Sequence, residues 1–348
     1  MKRNAVSKSL VLLALFAVGL TSALGAQTLL GSGATFPAPA YTKMFDEYYK
    51  LTGVRVNYQG IGSSGGLKNI QDRVVDFGGT DSFIKDGDFS KYPGAVVHIP
   101  TVIGAIVVTY NLPGTPKLRF TSDVVANIYL GKITRWNDKA IADLNPNVKL
   151  PSLAIMPVYR SDGSGTTFNF TAYLSAVSAE WKSKVGNANS VSWPVGQGAA
   201  QNAGVAGVVK QTQGTIGYVE LAYANQNSMP VATIKNSSGN WIDPSLASTS
   251  AAAAGAFPAD TRIVLVNPDA REGYPISSLT WLVVYREQNY GNRSREQAEQ
   301  LAKLLWWMIH DGQQYVTALD YATLPPPAVK AAEAIVKSIT YNGQALVK

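Results

Sequence analysis

The chain reads as an α/β protein, and three observations carry that reading. Short apolar runs of strand character alternate with helical segments along its 348 residues. Turns rich in glycine and serine stand at three of the strand-to-helix junctions. There is no cysteine, so no disulfide framework holds the fold and core burial must supply the stability. The length suits two domains better than one.

Lys2, Arg3 and Lys8 precede the apolar stretch Leu10–Leu20, which is too short to cross a bilayer comfortably; residues 1–26 therefore read as a secretory signal peptide, cleaved after Gly25 or Ala26. No later segment has the length and apolarity of a membrane span, and without cysteine the usual lipid-anchor residue is missing. The exported chain is expected to be soluble and unanchored. Without the three leader cations its formal charge of +7 falls to +4, and its basic and aromatic residues are dispersed, so no nucleic-acid partner is expected.

The turn Gly31-Ser32-Gly33-Ala34-Thr35-Phe36-Pro37 leads into a helix over Ala38–Lys50 that stops at Gly53. A strand over Val54–Tyr58 is followed by Gly60-Ile61-Gly62-Ser63-Ser64-Gly65-Gly66 and a helix containing Leu67 to Ile70. Val74–Phe77 reads as a strand, followed by the glycine pair Gly78-Gly79, Thr80 and Asp81, and Val102–Tyr110 reads as a long apolar strand. Ser122 is placed to cap a helix over Asp123–Leu130 that ends at Gly131. Ala154–Tyr159 reads as a short buried strand despite Pro157, and Phe168–Val177 as a helix. Between them lies Arg160-Ser161-Asp162-Gly163-Ser164-Gly165-Thr166. Further strands are expected at Ile216–Val219, Ile263–Val266 and Leu279–Tyr285. The low-complexity stretch Trp241–Asp260 reads as an exposed loop or short alanine helix. Ser294 precedes a helix closed by Gly312, whose stripe of Leu301, Leu304, Leu305, Trp307 and Met308 reads as core.

The Arg160 turn sets a guanidinium, a carboxylate and two hydroxyls beside glycines where helix amides are free, which is the chemistry of an oxyanion seat. An ordinary Asp-Gly turn with a capping hydroxyl accounts for it equally well in isolation. Three such turns suggest several helix starts converging on one multiply bonded anion. Asp81 reads either as a helix N-cap or as a filter. An ionised carboxylate repels a fully deprotonated guest but accepts the proton that phosphate, unlike sulfate, keeps near neutral pH. Gly60-Ile61-Gly62-Ser63-Ser64-Gly65 also matches the dinucleotide fingerprint, with Asp81 near the acidic position; anion binding ranks above that reading because an exported chain has little access to such a cofactor. No metal site and no catalytic residue is expected from two histidines and no cysteine: His98 reads as a partly buried strand residue and His310 as a helix terminus. No Gly-Lys-Ser/Thr follows the glycine turns, which disfavours a nucleoside triphosphatase.

Long segments of the chain resemble the periplasmic phosphate-binding proteins, the soluble receptor component of the high-affinity phosphate ABC transporter. They are Gly33–Pro39, Val56–Gly66, Val75–Gly78, Ile128–Ile133, Arg160–Thr166 and Gly214–Tyr218. The resemblance implies a two-lobed periplasmic binding protein of type II, with the lobes joined by two crossing strands at Val102–Tyr110 and Leu279–Tyr285. Residues 27–107 with 285–348 would form one lobe and 108–284 the other. It implies phosphate contacts from Thr35, Phe36, Ser63, Asp81, Arg160, Ser164, Gly165 and Thr166, with Asp162 supporting Arg160. Thr80 departs from the serine usual in similar proteins and adds a methyl beside Asp81. The implied activity is non-enzymatic capture of inorganic phosphate in the periplasm by a monomeric receptor without cofactor, for a membrane permease with its ATPase. A secreted phosphatase-like enzyme is the alternative, and a sulfate or molybdate receptor is disfavoured by Asp81.

Overall fold

The computed structural model describes residues 28–347, so the expected signal peptide lies outside the described residues. Eight strands form one curled sheet: β1 (Thr28–Gly33), β2 (Arg55–Gly60), β3 (Phe77–Thr80), β4 (Val96–Tyr110), β5 (Met156–Arg160), β6 (Gln197–Ala199), β7 (Thr215–Glu220) and β8 (Ser277–Tyr285). Their order across the sheet is β2-β1-β3-β8-β4-β7-β5-β6. The helices that bear on the site are α1 (Ala38–Thr52), α2 (Ser63–Gln71), α3 (Ser122–Tyr129), α4 (Gly165–Val177), α5 (Gln201–Gln211), α6 (Leu221–Gln226), α7 (Arg295–Ile309) and α8 (Pro326–Lys337). Strands β1, β2 and β3 run parallel at one end and β5, β6 and β7 at the other, as strand–helix–strand units require.

The two ends are held together by β4 and β8. All fifteen residues of β4 are buried, and the strand serves both halves: Val96–Ala105 pair antiparallel with β8, and Ile106–Tyr110 pair antiparallel with β7. The result is two α/β lobes joined by two crossing strands. Between Thr280 and Trp281 the β4–β8 register slips by one residue. Pro100 has no N–H to give the ladder there, and Thr101 becomes the unpaired residue. The bulge turns Thr101 and Thr280 toward each other, the Thr101 hydroxyl donating to the Thr280 carbonyl (3.3 Å).

Glycine decides how closely α2 can settle. A Cβ on Gly66 would stand 2.6 Å from Gly33 Cα and 2.7 Å from the Gly79 carbonyl oxygen, so only glycine lets α2 rest on β1 and β3. That seat brings the N-terminus of α2 to the ends of the two strands.

Four expectations shift. The strand expected at Val74–Phe77 begins only at Phe77, because Arg73 takes a left-handed conformation (φ 57°) and Asp76 spends its carboxylate on the Leu30 amide (2.6 Å) and on Arg293. Ile263–Val266 is not a strand: Thr261 (φ 59°) and Asn267 (φ 48°) bend the chain at both ends, and only an isolated Val266–Ile276 bridge forms. Thr121, not Ser122, caps α3, accepting from the Val124 amide at 3.4 Å. Helix α7 stops at Ile309, before Gly312, and Gly312 packs against Met44 and Trp307 in a 3₁₀ turn. The stretch 241–260 holds one short helix, Leu246–Ala252, with a Ser245–Ser248 capping box.

Replacing Gly66 by alanine is expected to remove about 2–3 kcal/mol of unfolding free energy, since the new methyl meets only backbone. Urea denaturation measures it, and an unchanged midpoint would show that α2 can ride higher on the sheet freely.

Candidate functional site

The three glycine turns converge. Ser64 donates its amide to the Gly163 carbonyl (3.0 Å), and the Ser63 hydroxyl accepts both the Gly165 amide (3.0 Å) and the Asp81 amide (3.2 Å). A Cβ on Gly165 would lie 2.5 Å from Ser63 Oγ and 2.6 Å from Asp81 Cβ, so glycine is what lets α4 approach so near. The turn before α1 joins through Thr35, whose hydroxyl accepts from the Asn202 amide (3.2 Å) and side chain (3.0 Å); Asn202 also donates to Thr166 Oγ1 (3.2 Å). The N-termini of α1, α2, α4 and α5 thus meet around one buried spot, which concentrates unsatisfied amides and positive dipole ends there.

Arg160 is 2 % exposed at the end of β5. Its Nε and one terminal nitrogen donate to the two oxygens of Asp162 (2.7 and 2.5 Å), and the other terminal nitrogen stands 3.4 Å from Thr166 Oγ1. Its backbone amide donates to the Tyr218 hydroxyl (3.1 Å), and that ring stacks on Phe170 at 4.2 Å between centroids. Asp162 also accepts from the amide of Gln201 (2.9 Å), which sits in a left-handed conformation (φ 64°) at the start of α5. Burial raises the Asp162 carboxyl, but the bonds and charge of Arg160 outweigh it and hold the group below the usual carboxylate range. Ser164 caps α4 through the Thr167 amide (3.1 Å).

Asp81 lies just beyond β3 and is 1 % exposed. It caps no helix. Its carboxylate accepts from the Thr280 hydroxyl (2.8 Å), which the β4–β8 bulge delivers, and its carbonyl accepts from Asn169 of α4 (2.6 Å). Burial pushes the Asp81 carboxyl up to about 7, opposed by the Thr280 hydroxyl, the Arg160 charge and the Ser63 hydroxyl. Thr80 shares in this geometry: its carbonyl also accepts from the Thr280 hydroxyl (3.1 Å), while its own hydroxyl donates to the Ser82 carbonyl (2.6 Å) and closes the turn. Phe36 is fully buried, its ring edge-on to Tyr321 at 6.2 Å.

Every residue expected at the site is therefore in one cluster. Reading the sequence missed Asn202, Gln201, Tyr218, Thr280, Asn169 and Tyr223, the last donating its hydroxyl to the Thr35 carbonyl (2.6 Å). Only the small-residue run Gly198-Ala199-Ala200-Gln201-Asn202 carried a signal for two of them. The strand–turn–helix around Gly60–Gly65 has the setting of a dinucleotide fingerprint, but the helix start is covered by Gly163 and Gly165. Gly62-Ser63-Ser64-Gly65-Gly66 also has the Gly-x-Ser-x-Gly spacing of a nucleophile elbow, yet the Ser64 hydroxyl meets Asn189 (3.1 Å) and no histidine. His98, 3 % exposed and so more buried than expected, accepts the Ile84 amide, and His310 bonds Glu333.

Because the Asp81 carboxyl is raised on folding, its contribution to stability is complete below about pH 4 and is lost as pH rises through about 7. Asp81→Asn removes that loss. The variant should match the parent near pH 4 and exceed it at pH 8 by up to about 4 kcal/mol without added anion. Denaturant unfolding at the two pH values checks this, and an equal difference at both would contradict the raised carboxyl.

The sequence matches the family model described as a PBP superfamily domain over residues 20–311. The phosphate-binding protein PstS of Xylella fastidiosa is 41 % identical over 313 residues, covering 87 % of this chain and 83 % of that protein. That of Pasteurella multocida is 38 % identical over 334 residues, covering 94 % and 95 %. Among solved structures, a phosphate-binding protein from Stenotrophomonas maltophilia superposes with a TM-score of 0.68 at 20 % identity, covering 89 % of this chain and 94 % of that one, which shows the shared two-lobed type II fold. With relatives this similar over nearly their whole length, the chain belongs to the PBP superfamily and, within it, to the family of the phosphate-binding proteins PstS.

Proposed function

We propose that this chain is a non-enzymatic receptor that binds inorganic phosphate between its lobes and hands it to the permease of an ATPase-driven ABC transporter. The observation that carries the reading is the meeting of a buried guanidinium, a buried carboxylate and four helix N-termini at one spot, drawn from turns far apart in the chain. The names of the PstS relatives supply the guest, and the resemblance to the phosphate receptors of ABC transport supplies the transporter. In this reading Thr35 and Ser63 with the Phe36 amide and Asp81 act from the lobe of residues 27–107 and 285–348. Arg160, Ser164, Gly165 and Thr166 act from residues 108–284, and Asp162 braces the guanidinium. The charged leader and the resemblance to the periplasmic phosphate receptors support a periplasmic location after removal of residues 1–26.

Arg160 supplies the charge and the donors. Asp81 supplies the selection: a buried carboxyl poised near neutrality shares one proton with a guest that has one to share, and it stands against a guest that has none. Closure follows binding because the donors come from both lobes and only the closed arrangement offers them together. No group performs bond cleavage in this scheme. The Thr35 and Thr166 hydroxyls meet Asn202 and Arg160, and the Ser63 hydroxyl, held by the Gly165 amide, bears on the Asp81 carboxyl that reads the guest's proton.

Calorimetric titration with phosphate, arsenate, sulfate and a phosphate monoester tests the whole reading: heat is expected with the first two alone, and turnover of the ester would reverse the conclusion. Arg160→Ala should weaken phosphate binding by at least about 30-fold, the loss typical of a buried charged donor; affinity close to the parent's would take the clamp away from Arg160. Asp81→Asn should narrow the phosphate-over-sulfate preference, which a hydroxyl-reading site can hold at roughly 10⁴-fold. A preference left intact would assign discrimination elsewhere.

A further inference from the structure

Glu220 ends β7 opposite Ile106 of β4, at the crossing between the lobes, and is 0 % exposed. Its backbone amide donates to Asn202 Oδ1 (3.0 Å), the residue that bridges Thr35 and Thr166. Its Oε2 accepts the Ala222 amide (2.8 Å) and lies 2.8 Å from the Tyr321 hydroxyl. The same hydroxyl lies 2.6 Å from the carbonyl oxygen of Phe36.

Those two contacts decide where the protons are. A tyrosine hydroxyl has one hydrogen, and a backbone carbonyl can only accept, so the hydrogen of Tyr321 goes to Phe36. The contact with Oε2 then needs a second hydrogen, and Glu220 is its only source. An ionised Glu220 would leave two lone pairs facing each other at 2.8 Å away from water. Oε1 agrees: it is buried without a hydrogen-bond partner among the described residues, tolerable for a neutral carbonyl oxygen and very costly for an anionic one. The titratable groups facing the carboxyl are Tyr321 and Asp320 from the segment before α8 and Tyr223 from α6, and none is a cation. Burial raises the group well above the ordinary carboxyl range; the Ala222 amide only partly opposes it, and Asp320 adds to it.

We propose that Glu220 is a protonated acid at neutral pH, and that its proton ties the Thr35–Phe36 turn, through Tyr321, to the crossing of the lobes, making Glu220 a positioning residue for the anion. With Tyr223 on the Thr35 carbonyl and Tyr321 on the Phe36 carbonyl, both acceptors of the turn are taken. The Phe36 amide, unpartnered among the described residues, stays available. The Phe36 ring is held as well: a Cβ on Gly104 of β4 would stand 2.6 Å from its tip and 3.3 Å from Oε1. A glutamine cannot replace the acid, because one oxygen both donates to Tyr321 and accepts from Ala222, and an amide nitrogen does not accept. The positioning role rests on the phosphate reading above; the protonated state does not.

Infrared difference spectra of the full chain at pH 8, without phosphate, test the proton. A protonated carboxyl band is expected in the parent and in Asp81→Asn, absent in Glu220→Gln, and moved to higher frequency in Tyr321→Phe, where its acceptor is gone. Absence of the band overturns the proposal, and Tyr321→Phe keeps the test alive should Glu220→Gln not fold. Phosphate titration tests the positioning: Glu220→Gln and Tyr321→Phe should each weaken binding about tenfold, and the double variant no further, as one shared linkage requires. Additive losses would refute it. A band in a parent chain that binds no phosphate would defeat the receptor reading and leave the protonated Glu220 standing, whereas binding without a band would do the reverse.

Discussion

A guanidinium that is 2 % exposed is a cation taken out of water, and the fold around the site is arranged to make that bearable. Asp162 gives Arg160 two short bonds, Tyr218 fixes its backbone, and Thr166 stands at its remaining edge. With one carboxylate spent on one guanidinium, the pair is close to neutral, and the surrounding helix N-termini tilt the spot toward an anion. The rise of the Asp81 carboxyl follows from the same enclosure: a second negative charge is tolerated poorly because water, not cation, is what it has lost.

The crossing strands do more than join the halves. Pro100 breaks the β4–β8 ladder, the slipped register turns Thr280 toward Asp81, and Thr101 is left free to bond the Tyr41 hydroxyl (2.8 Å) of α1. One missing N–H therefore orients the residue that bonds the carboxylate and secures the helix whose start carries Thr35. Further along β4, opposite Ile106, Glu220 and Tyr321 hold the carbonyl of Phe36. The site is supported from the crossing on both sides, which is why a change in how the lobes cross is felt by the donors themselves.

Much of the site was legible because its chemistry is local. Arg160, Asp162, Ser164 and Thr166 fall within seven residues of one turn, and Thr35, Ser63 and Asp81 sit at strand ends where glycines announce a helix start. The α/β alternation was legible for the same reason, since period and punctuation are short-range signals. What escaped depends on distant neighbours. Thr280 faces Asp81 only because a ladder slips, Asn202 reaches Thr35 only because α5 starts against α1, and Tyr321 looks like any core tyrosine until its two acceptors are seen. The strand at Phe77–Thr80 was misplaced because it is half glycine, chosen for the pressure of α2 and not for strand propensity.

The bulge has a kinetic meaning too. Thr101 and Thr280 lie side by side although 179 positions separate them in the chain. The central ladder of the sheet cannot close until nearly the whole chain has been made, and such long-range pairing is slow to form. A nascent chain of this design keeps its central strand unpaired for most of its synthesis, which is the condition a polypeptide must be in if it is to be threaded across a membrane before it folds.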